Sequence, residues 1–257
     1  MKNIIEIEGL NYKYKNINVF DELTLNIKEN SFTTIIGSNN SGKTTLVKLL
    51  LGLAKGNSII MCNGLPITKD NLRVLRKETG YIINENAFIN ETVMDEIAFT
   101  LENLNLEKEE INDKVKKIAN KLKITSILEK DPYTLSAEET WLLKLAIALV
   151  IEPKILIIDD GFTPLHPKKK KLVLDLLYKL NKKGLTIIIT TTNPEETLYA
   201  TDVIVLKNGK AKSKEKEELL EQNESPFIVS LSEKLKFYDL ITQNYLDEEK
   251  LVNELWK

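Results

Sequence analysis

The sequence predicts an α/β fold with a mostly parallel sheet covered by helices. Three patterns in it support this prediction. Segments of strand length with mostly apolar residues occur at residues 32–36, 154–160, 185–191 and 202–206, as is typical of strands buried on both faces. Between them lie segments with the 3.6-residue apolar period of helices. A glycine-rich segment also joins the first run to an apolar-periodic stretch, an arrangement that belongs to α/β folds.

The glycine-rich segment at residues 35–45, IIGSNNSGKTT, fits the pattern G-x-x-x-x-G-K-[ST] through Gly37, Gly42, Lys43 and Thr44. Such a loop turns its N–H groups toward phosphates, and the following helix adds the positive end of its dipole. We expect Lys43 to reach the β- and γ-phosphates and Thr44 to bind Mg²⁺. We expect a positive φ at Asn40. A chance glycine-rich turn is the alternative, but the flanking strand and helix favour nucleoside triphosphate binding.

The elements before and after this loop follow from local patterns. Before the loop, apolar and polar residues alternate at Ile5 and Ile7 and again at Leu23, Leu25 and Ile27, which predicts antiparallel strands. Residues 58–67 contain Asn63-Gly64, a dipeptide typical of hairpins. Residues 80–84 predict a short buried strand. Residues 91–151 are helical in pattern and predict a subdomain inserted into the α/β core.

The second half continues the alternation. Residues 154–160 predict a buried strand that ends in two carboxylates, and a helix follows from Pro167, which suits a first helical position. Strands are predicted at residues 185–191 and 202–206. After Lys210 we expect a charged helix up to Glu224.

Composition excludes several classes of protein. The net charge of −2, from 36 basic and 38 acidic residues, provides no overall field for nucleic acid or anionic lipid. The single cysteine, Cys62, excludes an internal disulfide and a cysteine-cluster metal site. Glu6 and Glu8 interrupt the N-terminus, so we expect no secretory signal. Apolar runs are far shorter than the ~20 residues that cross a bilayer, so we expect a soluble chain that reaches a membrane only through a partner.

Asp159 and Asp160 stand at the end of a predicted buried strand. In a nucleotide-binding core, a carboxylate at that point can hold Mg²⁺, and the next one can orient or deprotonate the attacking water. An ordinary turn after a strand is the alternative, because aspartate is common in turns. The phosphate-binding loop upstream favours the functional interpretation.

Taken in order, the segments IIGSNNSGKTT (35–45), LSAEE (135–139) and EPKILIIDD (152–160) resemble the ATPase subunits of ABC transporters. NETVMDEIAFTLEN (90–103), SPFIVSLSEKL (225–235) and LVNELWK (251–257) are similar to the energy-coupling factor (ECF) group, and the resemblance covers essentially the whole chain. It implies a P-loop nucleotide-binding domain at 1–210 with an antiparallel β-subdomain and a helical subdomain at about 86–150. A helical C-terminal extension at 211–257 is also implied.

The resemblance also implies partners and a place in the cell. ECF ATPases act in pairs with a membrane T-component and a substrate-binding S-component, and they import vitamins or transition-metal ions. The expected position is therefore cytoplasmic, at the inner face of the cell membrane. The expected ligands are ATP and Mg²⁺, and no nucleic acid is expected.

The family places each nucleotide between two subunits, one giving the phosphate loop and the other the signature, usually LSGGQ. By position, Tyr14 would stack on adenine, although packing at a sheet edge is the alternative for this ring. Asp159 would coordinate Mg²⁺, and Ser136 would face the γ-phosphate bound by the partner. The residues that would hold the phosphates are Gly37, Ser38, Asn39, Asn40, Ser41, Gly42, Lys43, Thr44 and Thr45.

This chain departs from the family pattern where hydrolysis is carried out. The Q-loop glutamine position holds Asn84, and the switch histidine position holds Thr192. The catalytic glutamate position holds Asp160, whose carboxylate is withdrawn by roughly 1.5 Å, and misplacement of that size can cost ~100-fold in rate. Ala137 and Glu138 replace both signature glycines. The D-loop position holds His166, next to a run of lysines that we interpret as a solvated helix face.

These departures predict an asymmetric pair. A homodimer would combine both kinds of defect in both sites, so we expect a heterodimer with a paralogue in which this chain binds ATP and hydrolyses it slowly. Two alternatives remain open: a nucleotide-binding regulatory subunit without turnover, and a non-transport ABC protein. The transported substrate leaves no mark in the sequence.

Overall fold

The computed structural model describes residues 2–102, 104, 106–197 and 199–214. Two sheets and six helices form this part of the chain, apart from short 3₁₀ turns. The strands are β1 (Asn3–Tyr14), β2 (Ile17–Lys28), β3 (Phe32–Ile36), β4 (Ile60–Cys62), β5 (Leu65–Pro66), β6 (Thr79–Ile82), β7 (Ile155–Ile158), β8 (Thr186–Thr191), β9 (Asp202–Lys207) and β10 (Lys210–Lys214). The helices are α1 (Lys43–Leu50), α2 (Leu72–Glu78), α3 (Val93–Glu102), α4 (Lys108–Leu122), α5 (Ala137–Val150) and α6 (Pro167–Asn181).

The larger sheet has the strand order β10-β9-β3-β8-β7-β6, and its neighbours from β9 to β6 are parallel. Ile36 pairs with Thr191, and Ile158 pairs with both Ile189 and Ile82. Strands β7 and β8 are buried along their whole length. The predicted parallel sheet with continuous apolar strands is confirmed, and its strands end at one common edge.

The smaller sheet has the order β2-β1-β4-β5 and is antiparallel throughout. Alternate residues of β1 and β2 are buried, including Ile5, which lies opposite Ile27. Asn63 and Gly64 both have positive φ in the turn between β4 and β5. The predicted antiparallel strands and hairpin are therefore confirmed.

Two hydrophobic clusters pack on opposite faces of the larger sheet. In β7, Leu156 and Ile158 join the cluster formed with helices α3 to α6, while Ile155 and Ile157 join the cluster formed with the smaller sheet and α1. Side chains alternate between the faces of a strand, so each face of the sheet is sealed by apolar packing. Each fully buried side chain of this kind contributes about 1.5–3 kcal/mol.

Several boundaries differ from the predictions. Helix α2 was not predicted, because a seven-residue helix carries little periodic signal. Strand β6 ends at Ile82, so Asn84 lies in the following loop. The helix predicted after Lys210 is wrong at its start, since the turn at Asn208 and Gly209 returns the chain into strand β10. The rest of the predicted extension lies outside the described residues, and the domain boundary at 210 stays a prediction.

Helices α3, α4 and α5 occupy the predicted helical subdomain, and α6 begins at Pro167 as predicted. Among the described residues, none of the helices has the length and apolar character required to cross a bilayer.

Candidate nucleotide-binding site

Most of the predicted site residues lie at one edge of the larger sheet. The phosphate loop follows β3, Asp159 follows β7, Thr192 follows β8, and Asn84 lies two residues after β6. These strands are parallel and in register, so their carboxyl ends meet there. Gly37 N donates to Thr191 O at 3.3 Å, and Asp159 N donates to Ile82 O at 2.8 Å. The convergence of these residues follows directly from the sheet topology.

The phosphate loop has the backbone that its sequence predicts. Asn40 has a φ of 63°, as expected. Gly42 has a φ of 100°, and a Cβ at this position would lie 2.8 Å from the ring of Phe20. Gly42 is also the N-cap of α1, which has no side-chain cap and no acidic residue in its first turn. The amide groups at the start of α1 are therefore left without a side-chain acceptor, as an anion-binding helix start requires.

Lys43 is 8% exposed and points back over the loop. Its Nζ donates to Gly37 O and Ser38 O, each at 2.8 Å. Burial lowers the pKa of Lys43, while the nearby charges of Asp160 and Asp159 act in the opposite direction. Both carboxylates are thus close enough to the lysine to influence it, as expected of groups that surround one triphosphate.

Asp159 is buried, and Thr190 Oγ1 donates to its Oδ1 at 2.6 Å. The other carboxylate oxygen accepts no hydrogen bond from any described residue. Thr44 exposes its side chain nearby on α1, and the buried Ser41 Oγ in the loop also has no partner among the described residues. One carboxylate and one hydroxyl beside a phosphate site suit Mg²⁺, which binds few protein oxygens and completes its shell with phosphate and water. The donor set therefore fits ATP with Mg²⁺.

Asp160 begins a tight left-handed turn, with a φ of 65°, and Gly161 follows at 58°. Asp160 N donates to Thr190 Oγ1 at 3.1 Å. Burial raises the pKa of the Asp160 carboxyl, Asp159 and Glu196 raise it further, and Lys43 lowers it.

Asn84, Asp159 and Asp160 line a cleft of about 430 Å³, together with the first turns of α5. Lys144 of α5 also lines it, and its Nζ donates to Ile83 O at 2.9 Å, beside Asn84. Thr192 is exposed at the end of β8. The structure thus brings Asn84 to the carboxylates, but it places no imidazole at the switch position.

The signature segment, residues 135–139, is engaged with its own chain. Ser136 caps α5, and its Oγ both accepts from Glu139 N at 3.3 Å and donates to Glu139 Oε2 at 2.9 Å. Glu138 Oε2 accepts from His166 N at 2.8 Å. Glu138 therefore turns toward the D-loop position, and the Ser136 hydroxyl is committed to a capping box.

Tyr14 lies at the end of β1 with 61% of its surface exposed. Tyr12, two residues earlier, packs against the core, whereas Tyr14 is outside the core clusters. Tyr14 is one of the groups that raise the pKa of Lys48 on α1, behind the Glu85 carboxylate. Tyr14 is therefore a largely exposed ring outside the apolar core, and its stacking on adenine stays a prediction.

Comparison with known proteins identifies the family. The model of the family described as "ABC transporter" matches residues 20–163. The chain belongs to the ABC transporter family. This ABC protein is 38% identical to the energy-coupling factor transporter ATP-binding protein EcfA1 of Fusobacterium nucleatum, covering 99% of each chain. It is 30% identical to the EcfA1 of Streptococcus pneumoniae, covering 100% of this chain and 99% of the relative.

Solved structures agree with this family assignment. The ABC protein matches cbiO1 from Clostridium perfringens, described as part of the ABC transporter complex cbiONQ, with a TM-score of 0.76 and 28% identity. The match covers 87% of this chain and 93% of that one. The P-loop ABC fold and the ABC-type ATPase class expected from the sequence are thereby confirmed.

Sequence reasoning missed four residues around the carboxylates: Thr190, Trp141, Lys144 and Glu196. Trp141 was detectable as a lone large aromatic within the aliphatic α5 helix. Thr190 lies in an apolar strand where a threonine attracts no notice. Nothing in the local sequence distinguishes Glu196, whose role depends on contacts with residues far away in the chain.

Proposed function

We propose that this chain is the ATP-binding subunit of an ECF-type importer. The observation that carries the proposal is the open phosphate loop, with Lys43 and Asp159 beside it, in a chain similar over its full length to ECF transporter ATPases. The subunit pairs with a second ATPase, and the pair couples ATP binding and hydrolysis to uptake of a vitamin or metal ion. A membrane T-component and an S-component complete the complex, so the chain lies peripherally at the inner face of the cell membrane.

The residues divide the work of holding ATP. The amides of residues 38–45 and Lys43 bind the phosphates, while Tyr14 stacks on the adenine. Thr44 and Asp159 would hold Mg²⁺, and the ion would supply positive charge that offsets the negative charge developing during phosphoryl transfer. Thr190 fixes the orientation of the Asp159 carboxylate through a hydrogen bond of 2.6 Å.

Hydrolysis at this chain's own loop is slow. In the reaction, water attacks the γ-phosphorus, the bond to the bridging oxygen breaks, and ADP and phosphate leave. Asp160 is the base that takes a proton from the water, but its side chain is one methylene shorter than glutamate. Asn84 is likewise shorter than glutamine, and Thr192 cannot supply an imidazole. Each change weakens the alignment of the water, and alignment dominates rates of this kind.

The partner is a paralogue with a better-preserved site. This chain contributes the start of α5, which carries the signature, to the partner's site. The positive end of the α5 dipole is already offset there by the negative charges of Glu138 and Glu139. In a homodimer of this chain, both sites would combine the shortened base Asp160 with a signature whose helix start already carries two carboxylates. A heterodimer confines one defect to each site, so nucleotide turnover is shared unequally.

The composition of the native complex tests the proposal. A tagged chain is purified in detergent from native membranes, and its partners are identified. We expect one further ABC ATPase and at least one integral membrane protein. Recovery of the chain as a homodimer without membrane proteins would contradict the proposal.

A second candidate, a regulatory subunit that binds ATP without turnover, is favoured by the substitutions at Asn84 and Thr192. Single-turnover hydrolysis in the complex, with ATP limiting and the partner's phosphate loop inactivated, separates the two. Slow release of phosphate that Asp160→Asn abolishes supports the importer ATPase, whereas complete retention of ATP supports the regulatory subunit. Rapid hydrolysis by the isolated chain, abolished by Lys43→Ala, would contradict both.

A further inference from the structure

The turn at residues 160–162, here called the carboxylate turn, carries the Asp160 base. Each of its residues is held by a side chain from a different element, namely β8, α5 and the 3₁₀ turn Pro194–Thr197. The three hydrogen bonds are Asp160 N to Thr190 Oγ1 at 3.1 Å, Trp141 Nε1 to Gly161 O at 3.3 Å, and Phe162 N to Glu196 Oε1 at 3.3 Å. Three independent anchors on three consecutive residues leave the turn little freedom.

The backbone of the carboxylate turn depends on such anchors. Asp160 is a non-glycine residue in the left-handed region, where its Cβ crowds the chain. Gly161 is left-handed as well, and a Cβ at Gly161 would fall on Glu196 Oε2. Backbone conformations of this kind persist only when the surrounding structure enforces them. The direction of the Asp160 carboxylate is therefore set by what surrounds the turn.

Glu196 supplies one support. It is 2% exposed, and Lys170 Nζ donates to its Oε1 at 2.6 Å. The same lysine lies 5.8 Å from the centre of the Phe162 ring. The other oxygen of Glu196 is buried with no partner among the described residues. A partly buried ion pair with Lys170 thus fixes the Glu196 carboxylate, and the fixed carboxylate accepts the hydrogen bond from Phe162 N.

Trp141 supplies the support from the helical subdomain. It is buried, and its ring packs against Phe162 with centroids 5.5 Å apart. A buried indole N–H needs an acceptor, and Gly161 O provides it. Trp141 lies five residues after Ser136 on α5, and Glu138 of the same helix accepts from His166 N, four residues beyond the carboxylate turn. Two side chains of α5 therefore hold one loop.

We propose that Trp141 is a positioning residue for Asp160, and that it couples the two nucleotide sites of the ATPase pair. Under the proposed function, on which this inference rests, the start of α5 completes the partner's site, while Asp160 serves this chain's own site. The indole hydrogen bond joins the two. A displacement of α5 at the partner's nucleotide is transmitted to the base at this chain's nucleotide.

The first test is single-turnover hydrolysis in the purified native complex, with the partner's phosphate loop inactivated. Trp141→Phe keeps a ring beside Phe162 and removes the N–H donor. We expect hydrolysis to slow by about tenfold with unchanged ATP affinity, because only the base is displaced. Asp160→Asn in the same complex should abolish the rate, which assigns the hydrolysis that Trp141→Phe slows to the site of Asp160.

Tyr133→Phe is the matched control, because it also removes a side-chain donor to a backbone carbonyl, Phe88 O at 2.9 Å, without touching the turn. We expect it to hydrolyse at the wild-type rate. A wild-type rate for Trp141→Phe together with a slow Asp160→Asn overturns the positioning role and leaves the proposed function intact. If Asp160→Asn and Lys43→Ala change neither ATP binding nor hydrolysis, the proposed function itself fails.

Fluorescence gives a readout that needs no hydrolysis and no disruption of the turn. The sequence has two tryptophans, and Trp256 lies outside the described residues. In the full-length Trp256→Phe chain, within the complex, Trp141 is this subunit's only indole. With tryptophan-free partner chains, we expect its emission to shift when ATP and Mg²⁺ bind at the partner's site alone, with Lys43→Ala blocking this chain's loop. An unchanged emission overturns the coupling.

Discussion

Helices α1 and α5 begin in opposite ways. Helix α1 starts after Gly42 with no side-chain cap and no acid in its first turn. Helix α5 starts after Ser136 with a complete capping box, and Glu138 and Glu139 stand in its first turn. The first arrangement leaves N–H groups and a positive dipole end for a ligand, whereas the second satisfies both within the chain. The start of α1 is left open for phosphate, whereas the start of α5 already holds carboxylates of its own chain.

Under the proposed function, this difference separates the helix that binds this chain's own nucleotide from the helix that completes the partner's site. An isolated helix gains stability from a cap, so the capping box at α5 is the ordinary solution. The uncapped α1 forgoes that contribution of about 1 kcal/mol, which marks its start as functional. The same comparison shows why sequence departures at α5 have a structural meaning, since Glu138 and Glu139 both make hydrogen bonds there.

Removing the charge of Lys43 at the open start of α1 should have the largest effect. Lys43→Ala deletes the ammonium that lies over the loop and should weaken ATP binding at least ~100-fold, about 2.7 kcal/mol. Isothermal titration of the purified chain with ATP and Mg²⁺ measures this. Lys182→Ala, at the exposed end of α6, removes the same charge far from the loop and should bind normally. Equal affinity of both variants would show that the open start of α1 does not bind phosphate.

Lengthening the side chain of Asp160, the base of the proposed function, should have the next largest effect. Asp160→Glu moves the carboxylate outward by one methylene and should raise the single-turnover rate about tenfold, with unchanged ATP affinity. Asp160→Asn retains the shape and should abolish the slow rate. A lower rate for Asp160→Glu would show that the left-handed turn, and not the side-chain length, limits the chemistry.

Loss of the exposed ring of Tyr14 should have a moderate effect on ATP binding. Tyr14→Ala removes a stacking surface and should weaken ATP binding about fivefold, close to 1 kcal/mol. Tyr14→Phe keeps the surface and should bind like the wild type. If inorganic triphosphate loses affinity to the same extent as ATP, Tyr14 does not contact the base.

Neutralising Glu138 at the capped start of α5 should have the smallest effect. Glu138→Gln removes a negative charge from the start of α5 and can still accept from His166 N. We expect turnover at the partner's site to rise about two- to fivefold, the size of one charge near a helix N-terminus. The assay uses the complex with Lys43→Ala, so that only the partner's site turns over. A fall in turnover would indicate that Glu138 assists that site.

Much of the fold was predictable because its signals are local. The alternation in β1 and β2, the Asn63-Gly64 turn and Pro167 at the start of α6 each act within a few residues. The strand at Lys210–Lys214 was mistaken for a helix because its charged composition hides its pairing beside β9, which only the tertiary structure creates.

The phosphate loop was predictable for the same local reason, down to the positive φ of Asn40. The residues that support the two carboxylates were not predictable from the sequence. Thr190 lies 31 residues from Asp159, and Glu196 lies 34 residues from Phe162. Such contacts depend on the register of parallel strands and on the path of a loop, neither of which the sequence displays. For the same reason the sequence does not predict the direction of the Glu138 side chain, which the structure turns toward His166.

The use of main-chain groups in the phosphate loop bears on how the sequence of such a subunit can diverge. Main-chain amides are shared by nearly every amino acid, so substitution at a position such as Asn39 leaves the donor in place. Side chains that move a proton offer no such redundancy. A lineage that relaxes its demand for turnover can therefore lose its catalytic equipment first while nucleotide occupancy persists.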